Sequence, residues 1–214
     1  MALSPKPTGC PKAHGLQPVG FGACNHTETP VVNRDTLREL TVFGLLLAIG
    51  VLGRWAQPEW NFTPTAAVAA LGGYYFRRLL PAVLLPLSVL VISDVLLAPH
   101  DSWPVFATVQ MMMLVPMLIG RSARAASGTK AAWRWVLCGV VPATAFYVAT
   151  NFAVWAFTGL YEKTLAGLAQ CYLAAVPFYR TMLAGDVFFL IVLGGCLAIA
   201  RAASKSAAAI AATR

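Results

Sequence analysis

The chain is short of charge. Only 11% of its 214 residues are Asp, Glu, Lys or Arg, and just eight are acidic. A soluble domain usually carries about 25% charged residues, so water is not the solvent for most of this surface. Histidine is scarce too: His14, His26 and His100 are the three, and none falls inside an apolar segment. That excludes a membrane cytochrome with paired histidine ligands. No Ser/His or His-Glu-x-x-His arrangement for intramembrane proteolysis occurs. Ser127-Gly128-Thr129-Lys130 lacks the Gly-Lys-Ser/Thr order of a nucleotide loop, which excludes ATP hydrolysis by that route. Asp-rich motifs for metal–phosphate chemistry on lipids or isoprenoids are missing as well. The chain is therefore read as a non-enzyme, with no metal or cofactor.

Cysteine is present without a framework. Cys10, Cys24, Cys138, Cys171 and Cys196 are dispersed, and the last three lie in apolar stretches, where cysteine is a small buried side chain. Cys10, His14, Cys24 and His26 are possible metal ligands, but their spacing fits no common zinc site. Residues 1–36 lack an early apolar run and are rich in Pro, Gly, Thr and Asn. They read as a disordered cytoplasmic tail and not a signal peptide.

What is abundant is hydrocarbon: 58% of the residues are hydrophobic and the mean hydropathy is +0.69. Apolar segments fall at about 37–53, 62–76, 79–98, 103–120, 132–152 and 180–200. Most approach the ~20 residues that a spanning helix needs. The expected fold is an all-α, polytopic membrane bundle of about six helices over 37–200, with 201–214 a cytoplasmic tail that extends the last helix or frays. The second segment is short and rich in Ala and Gly, which suits the middle of a bundle. Thr63 followed by Pro64 predicts an N-cap and first turn for it. Pro81, Pro86, Pro104, Pro116 and Pro142 predict kinks. A seventh run, Leu165–Val176, stops at Pro177 after about 12 residues and reads as a re-entrant or interfacial helix.

Cation placement orients the bundle. With six crossings and the N-terminus inside, 13 of the 16 Lys and Arg lie on the cytoplasmic side, leaving Arg54, Lys163 and Arg180 outside. A seventh crossing would send Arg201, Lys205 and Arg214 outward, against the positive-inside rule. Trp55, Trp60, Trp103 and Trp155 then fall at outer ends and Trp133 and Trp135 at an inner end, as an interfacial belt requires. The +8 charge is thus a topology signal and not a nucleic-acid footprint.

An ionisable group at membrane depth costs about 2.5–3.5 kcal/mol, so each needs a partner or a purpose. Asp94 and Asp186 fall at the outer level, with Arg54, Glu59, Asn61, Asn151, Tyr161, Gln170, Tyr172 and Arg180. One reading is a pocket open to the outside for a small polar or ring-bearing solute. Asp94, Asn151, Trp155 and Asp186 would line it, Arg54, Asn61 and Tyr172 would stand at its rim, and 157–178 would form a lid or wall. The other reading is structural, with Asp94 and Asp186 paired to Arg54 or Arg180. Met111-Met112-Met113 points round a helix and reads as packing. Gly44-x3-Ala48 on the first helix is a small-x3-small pattern where another helix can dock.

Asn61-Phe62-Thr63-Pro64-Thr65-Ala66-Ala67, Ser93-Asp94 and Thr150-Asn151-Phe152-Ala153-Val154-Trp155 carry a resemblance over residues 40–200. Gly167-Leu168-Ala169-Gln170-Cys171-Tyr172 and Ala175-Val176-Pro177-Phe178-Tyr179, followed by Gly185-Asp186, extend it. The chain resembles a group of small bacterial integral membrane proteins without an assigned function. In size, six-helix layout and cytoplasmic ends it is also similar to the S components of energy-coupling-factor (ECF) vitamin transporters. That second resemblance implies a component of the bacterial inner membrane that binds a vitamin-like solute from outside. A separate transmembrane scaffold and ATPase subunits would supply energy, and the scaffold would dock at Gly44 and Ala48, where that family typically has Ala-x3-Ala. A non-transporting scaffold or assembly factor is the alternative.

Overall fold

The computed structural model describes residues 34–95, 97 and 102–212, and every regular element among them is helical. In chain order these are α1 (Arg34–Trp55), α2 (Thr65–Tyr75), α3 (Leu79–Ser93), α4 (Trp103–Met112), α5 (Leu114–Arg124), α6 (Gly128–Phe157) and α7 (Leu165–Ala212). The sequence-predicted tail ligands Cys10, His14, Cys24 and His26 lie outside the described residues. The first helix begins at Arg34, inside the expected 1–36 tail.

Four rods are long and apolar enough to cross a bilayer: α1, α4 and α5 taken together, α6, and Leu165–Ala207 of α7. The apolar α3 is shorter. Large side chains such as Leu45, Leu52, Val91, Val136, Ile191 and Ile199 point outward. A protein in water would bury such residues, so their exposure on several rods fits a lipid surround.

The bundle is built around α2, in which every residue from Thr65 to Gly73 is buried. Its small side chains let backbones touch. A Cβ added at Gly73 would lie 2.0 Å from the Met117 carbonyl oxygen, and one at Gly120 would lie 2.0 Å from that of Ala70. The α2–α5 contact therefore requires glycine on both sides. On α1 the close approaches are made by Gly50, against Val89, and Gly53, against Pro64. The core proper gathers Val68, Phe76, Leu85, Val89 and Met117, with Phe43, Leu46 and Leu47 of α1 packed on it.

Several expected boundaries move, each for a physical reason. Thr63 does not cap α2: Pro64 holds the cap position, and the Thr63 hydroxyl instead lies 3.0 Å from that of Thr65. The third segment ends at Ser93, so Asp94 sits at the C-cap of α3 rather than inside a helix. The 103–120 segment breaks at Met113 into α4 and α5. Pro116 has no N–H for the Met112 carbonyl, and its ring displaces that carbonyl from helical geometry.

The largest correction concerns Leu165–Val176. It is not a separate interfacial helix, because α7 runs unbroken through Pro177 for 48 residues. Tyr147 of α6 acts as a splint across the proline. Its ring packs 5.4 Å from Tyr172 on one side and 4.8 Å from Tyr179 on the other. Reciprocal bonds reinforce it: the Tyr147 hydroxyl donates to the Tyr172 carbonyl at 2.8 Å, and the Tyr172 hydroxyl to the Val148 carbonyl at 2.7 Å. The same helix continues to Ala212, so 201–212 extends it rather than forming a loose tail.

Candidate solute-binding site

The two ends of the bundle carry different chemistry. At one end, the end of α1 is latched to the end of α3. The Arg54 guanidinium donates to Asp94 Oδ1 at 2.8 Å and to the Ser93 hydroxyl, while the Trp55 indole N–H donates to the Ser93 carbonyl at 3.0 Å. A carboxylate at a helix C-terminus faces the negative end of the helix dipole, and the guanidinium offsets that penalty. The second carboxylate oxygen, Asp94 Oδ2, is buried and has no hydrogen-bond partner among the described residues. An unmade hydrogen bond to a buried carboxylate is costly, so this oxygen is poised to accept a donor.

Asp94 opens onto a cavity of about 250 Å3. Arg54, Gln57, Asn61, Thr63 and Thr65 supply its polar wall, while Trp60, Leu90, Met113, Phe146 and Met182 supply most of the apolar one. A second cavity of about 160 Å3 adjoins it, sharing Asn61, Phe146 and Met182 and adding Tyr147, Thr150, Asn151 and Tyr179. Asn61 stands at the junction. Among the described residues it is the one non-glycine with a positive φ, 67°, a conformation that asparagine tolerates better than most residues. Its backbone N–H donates to Gln57 Oε1 at 3.1 Å, which holds the turn. Local strain kept between two cavities is characteristic of binding sites.

Arg54, Asn61, Asp94 and Asn151 are therefore brought together, and three other residues singled out in the sequence are not. The Trp155 indole N–H donates to the Glu162 carbonyl at 2.9 Å, and Lys163 sits 5.8 Å over its ring, so it closes the α6–α7 turn. Tyr172 braces α6 against α7 as described. Asp186 is 5% exposed and lines neither cavity. It forms no ion pair among the described residues, so the expected pairing with Arg54 or Arg180 applies to Asp94 alone. Gly185, beside it, packs against the Phe62–Thr63 backbone: a Cβ added there would lie 3.2 Å from Phe62 Cα and Thr63 N and would not fit without a small displacement.

Gln57, Phe146 and Met182 were not recognisable as site residues from sequence, since each looks like ordinary loop or core. Met113 was read as packing, and it both packs and lines the larger cavity. Part of the expected wall holds: Ala175 and Phe178 of the 157–178 segment line the smaller cavity. Among the described residues no cluster of three His, Cys, Asp or Glu side chains is placed to hold a metal ion.

A family model matches residues 34–209, from the first residue of α1 almost to the end of α7. The chain belongs to DUF6580, a family of unknown function. The matched region of this DUF6580 member contains both cavities, the α1–α3 latch and the α2–α5 contact. No curated protein and no solved structure matches the chain.

Proposed function

We propose that this DUF6580 member is an integral membrane protein that binds a small polar or ring-bearing solute in the paired cavities at the Asp94 end. It serves the uptake of a vitamin-like or micronutrient-like molecule from the outer side. The observation that carries the reading is Asp94 Oδ2, a buried acceptor without a partner among the described residues, in a cavity walled by Arg54, Asn61 and Trp60. Its carboxylate accepts a donor from the solute, Asn61 and Asn151 orient polar edges, and Trp60 and Phe146 offer ring faces. Six crossings, with both ends in the cytoplasm of a bacterial inner membrane, put Arg38, Arg77, Arg121, Arg124 and Arg201 inside and Asp94 outside. An S-component-like layout supports this reading and leaves the energy to a separate scaffold and ATPase subunits. Liquid chromatography–mass spectrometry of protein passed through a cell extract tests it. Wild type retains a small molecule, and Asp94→Ala loses it while keeping its helical circular dichroism and its elution volume. Equal retention by both, or none by either, overturns the proposal.

A second reading, a scaffold or assembly factor, draws on α1. Gly44 and Ala48 face outward, and nothing lies within 4 Å of a Cβ built at Gly44. Exposed Leu40, Leu45 and Leu52 flank them. Gly44→Leu should leave stability unchanged and remove whatever docks there. Co-purifying ATPase subunits favour uptake, whereas an unrelated enzyme complex favours the scaffold.

A further inference from the structure

The opposite end of the bundle carries a second concavity, apolar along one stretch and strongly cationic along the next. The apolar stretch, about 550 Å3, is a groove along α7 walled by Leu190, Ile191, Gly194, Leu197, Tyr74 and Trp135. Gly194 and Gly195 are unlike the packing glycines of α2 and α5, because a Cβ at either would meet nothing within 4 Å. No neighbouring helix demands glycine there. What the two glycines do is hollow the surface of an otherwise bulky apolar helix.

The groove ends at Arg201 and Lys205. Arg201 and Tyr74 also line an adjoining crevice of about 680 Å3, together with Arg38, Arg77 and Arg124, and with Asp35 and Glu39. Four guanidiniums against two carboxylates leave this crevice net positive. The junction is firmly built. The Arg201 guanidinium lies 4.6 Å over the Tyr74 ring and donates to its hydroxyl, and Tyr74 meets the Trp135 ring edge-on at 5.1 Å. Arg124 donates to the Phe76 carbonyl, but a guanidinium has five donors and one bond leaves most of them available.

We propose that this end of the bundle holds an anionic phospholipid, one acyl chain lying over Gly194 and Gly195 and the phosphate among Arg201, Lys205 and Arg124. The inference rests on the membrane placement proposed above but not on the solute site. The charge pattern selects the occupant. A helix from another protein would satisfy the groove but not the cationic crevice, and a soluble phosphate would satisfy the crevice but not the groove. An amphiphile with a negative head satisfies both, in the depth order that a bilayer leaflet imposes. The lipid would also fill the space between α2, α6 and α7 at the level where α7 leaves the apolar layer.

Native mass spectrometry of the full chain in detergent, titrated with phosphatidylglycerol or with phosphatidylcholine, tests the assignment. Wild type is expected to prefer phosphatidylglycerol, and Arg201→Gln with Lys205→Gln should reduce that preference by about thirtyfold. Gly194→Leu with Gly195→Leu places each new Cβ in open space, so it should keep the fold and weaken both lipids. A preference unchanged within about twofold in the charge variant overturns the proposal, whatever the fate of the glycine variant. So does protection by inorganic phosphate equal to that by phosphatidylglycerol, or a dimer that the glycine variant dissolves and lipid does not displace. Loss of solute retention in Asp94→Ala is a separate readout, so failure of one proposal leaves the other standing.

Discussion

The two ends of this bundle solve the problem of polar groups beside lipid in opposite ways. At the Arg121 end, guanidiniums are spent on backbone. Arg121 donates to the Arg77 carbonyl at 3.0 Å, Arg124 to that of Phe76, and Arg134 to that of Ser122. The Phe76 and Arg77 carbonyls lie at or just beyond the C-terminus of α2, and Ser122 lies in the last turn of α5, where a helix dipole favours a cation. Directly beneath them α2 and α5 touch backbone to backbone at Gly73 and Gly120. At the Asp94 end one guanidinium serves one carboxylate, and among the described residues a buried oxygen is left over beside a cavity. One end spends guanidiniums on backbone carbonyls above a tight helix contact and keeps donors to spare at its crevice, and the other keeps a spare acceptor beside a cavity. That asymmetry sets a close-packed floor, where α2 and α5 touch, against a mouth that holds the paired cavities.

Breaking the floor should have the largest effect. Gly120→Ala sets a methyl against the Ala70 carbonyl, an atom that cannot swing away, and should cost about 3 kcal/mol, the top of the usual range for overpacking. A melting curve in detergent that shifts by less than a few degrees would show that the α2–α5 contact is looser than described. At the mouth, Arg54→Ala strips the partner from a half-buried carboxylate and should cost about 2–3 kcal/mol, less than a fully buried pair because water reaches both groups. Replacing both members, as Arg54→Met with Asp94→Leu, should recover most of that loss while abolishing solute retention. A double variant no more stable than the single one would contradict the latch. The smallest effect belongs to the α6–α7 brace. Tyr172→Phe removes one hydrogen bond and should cost about 1 kcal/mol with solute retention unchanged, since the hydroxyl serves Val148 and not the cavity.

Much of this comparison can be read in the chain. Apolar run length predicts the long rods, and the cations at Arg38, Arg77, Arg121, Arg124 and Arg201 group at one end as their spacing between runs implies. Asp94 with Arg54, and the small-residue character of α2, were visible for the same reason: a residue type that lipid tolerates poorly, or a side chain too small to pack except at close range, carries its own explanation. What could not be read are relations between helices. Pro177 looks like a terminus because local rules make it one, and only the ring of Tyr147, thirty positions away, overrides them. Trp155 and Tyr172 have the chemistry of ligand contacts, but their polar atoms bond to backbone carbonyls nearby. Phe146 and Met182 lack any distinguishing chemistry, and what gives them a role is which way their helices are rotated.

The length of α7 has a mechanical consequence. One uninterrupted rod carries Met182 at the wall of both upper cavities and Arg201 at the opposite crevice, 19 residues or about 29 Å along the axis. A helix is stiff over that span, so a tilt of about 5° pivoting near Met182 swings Arg201 sideways by roughly 2–3 Å. Any tilt of α7 at the Asp94 end would be carried to the opposite terminus by leverage along one rod, with no relay of side-chain rearrangements in between.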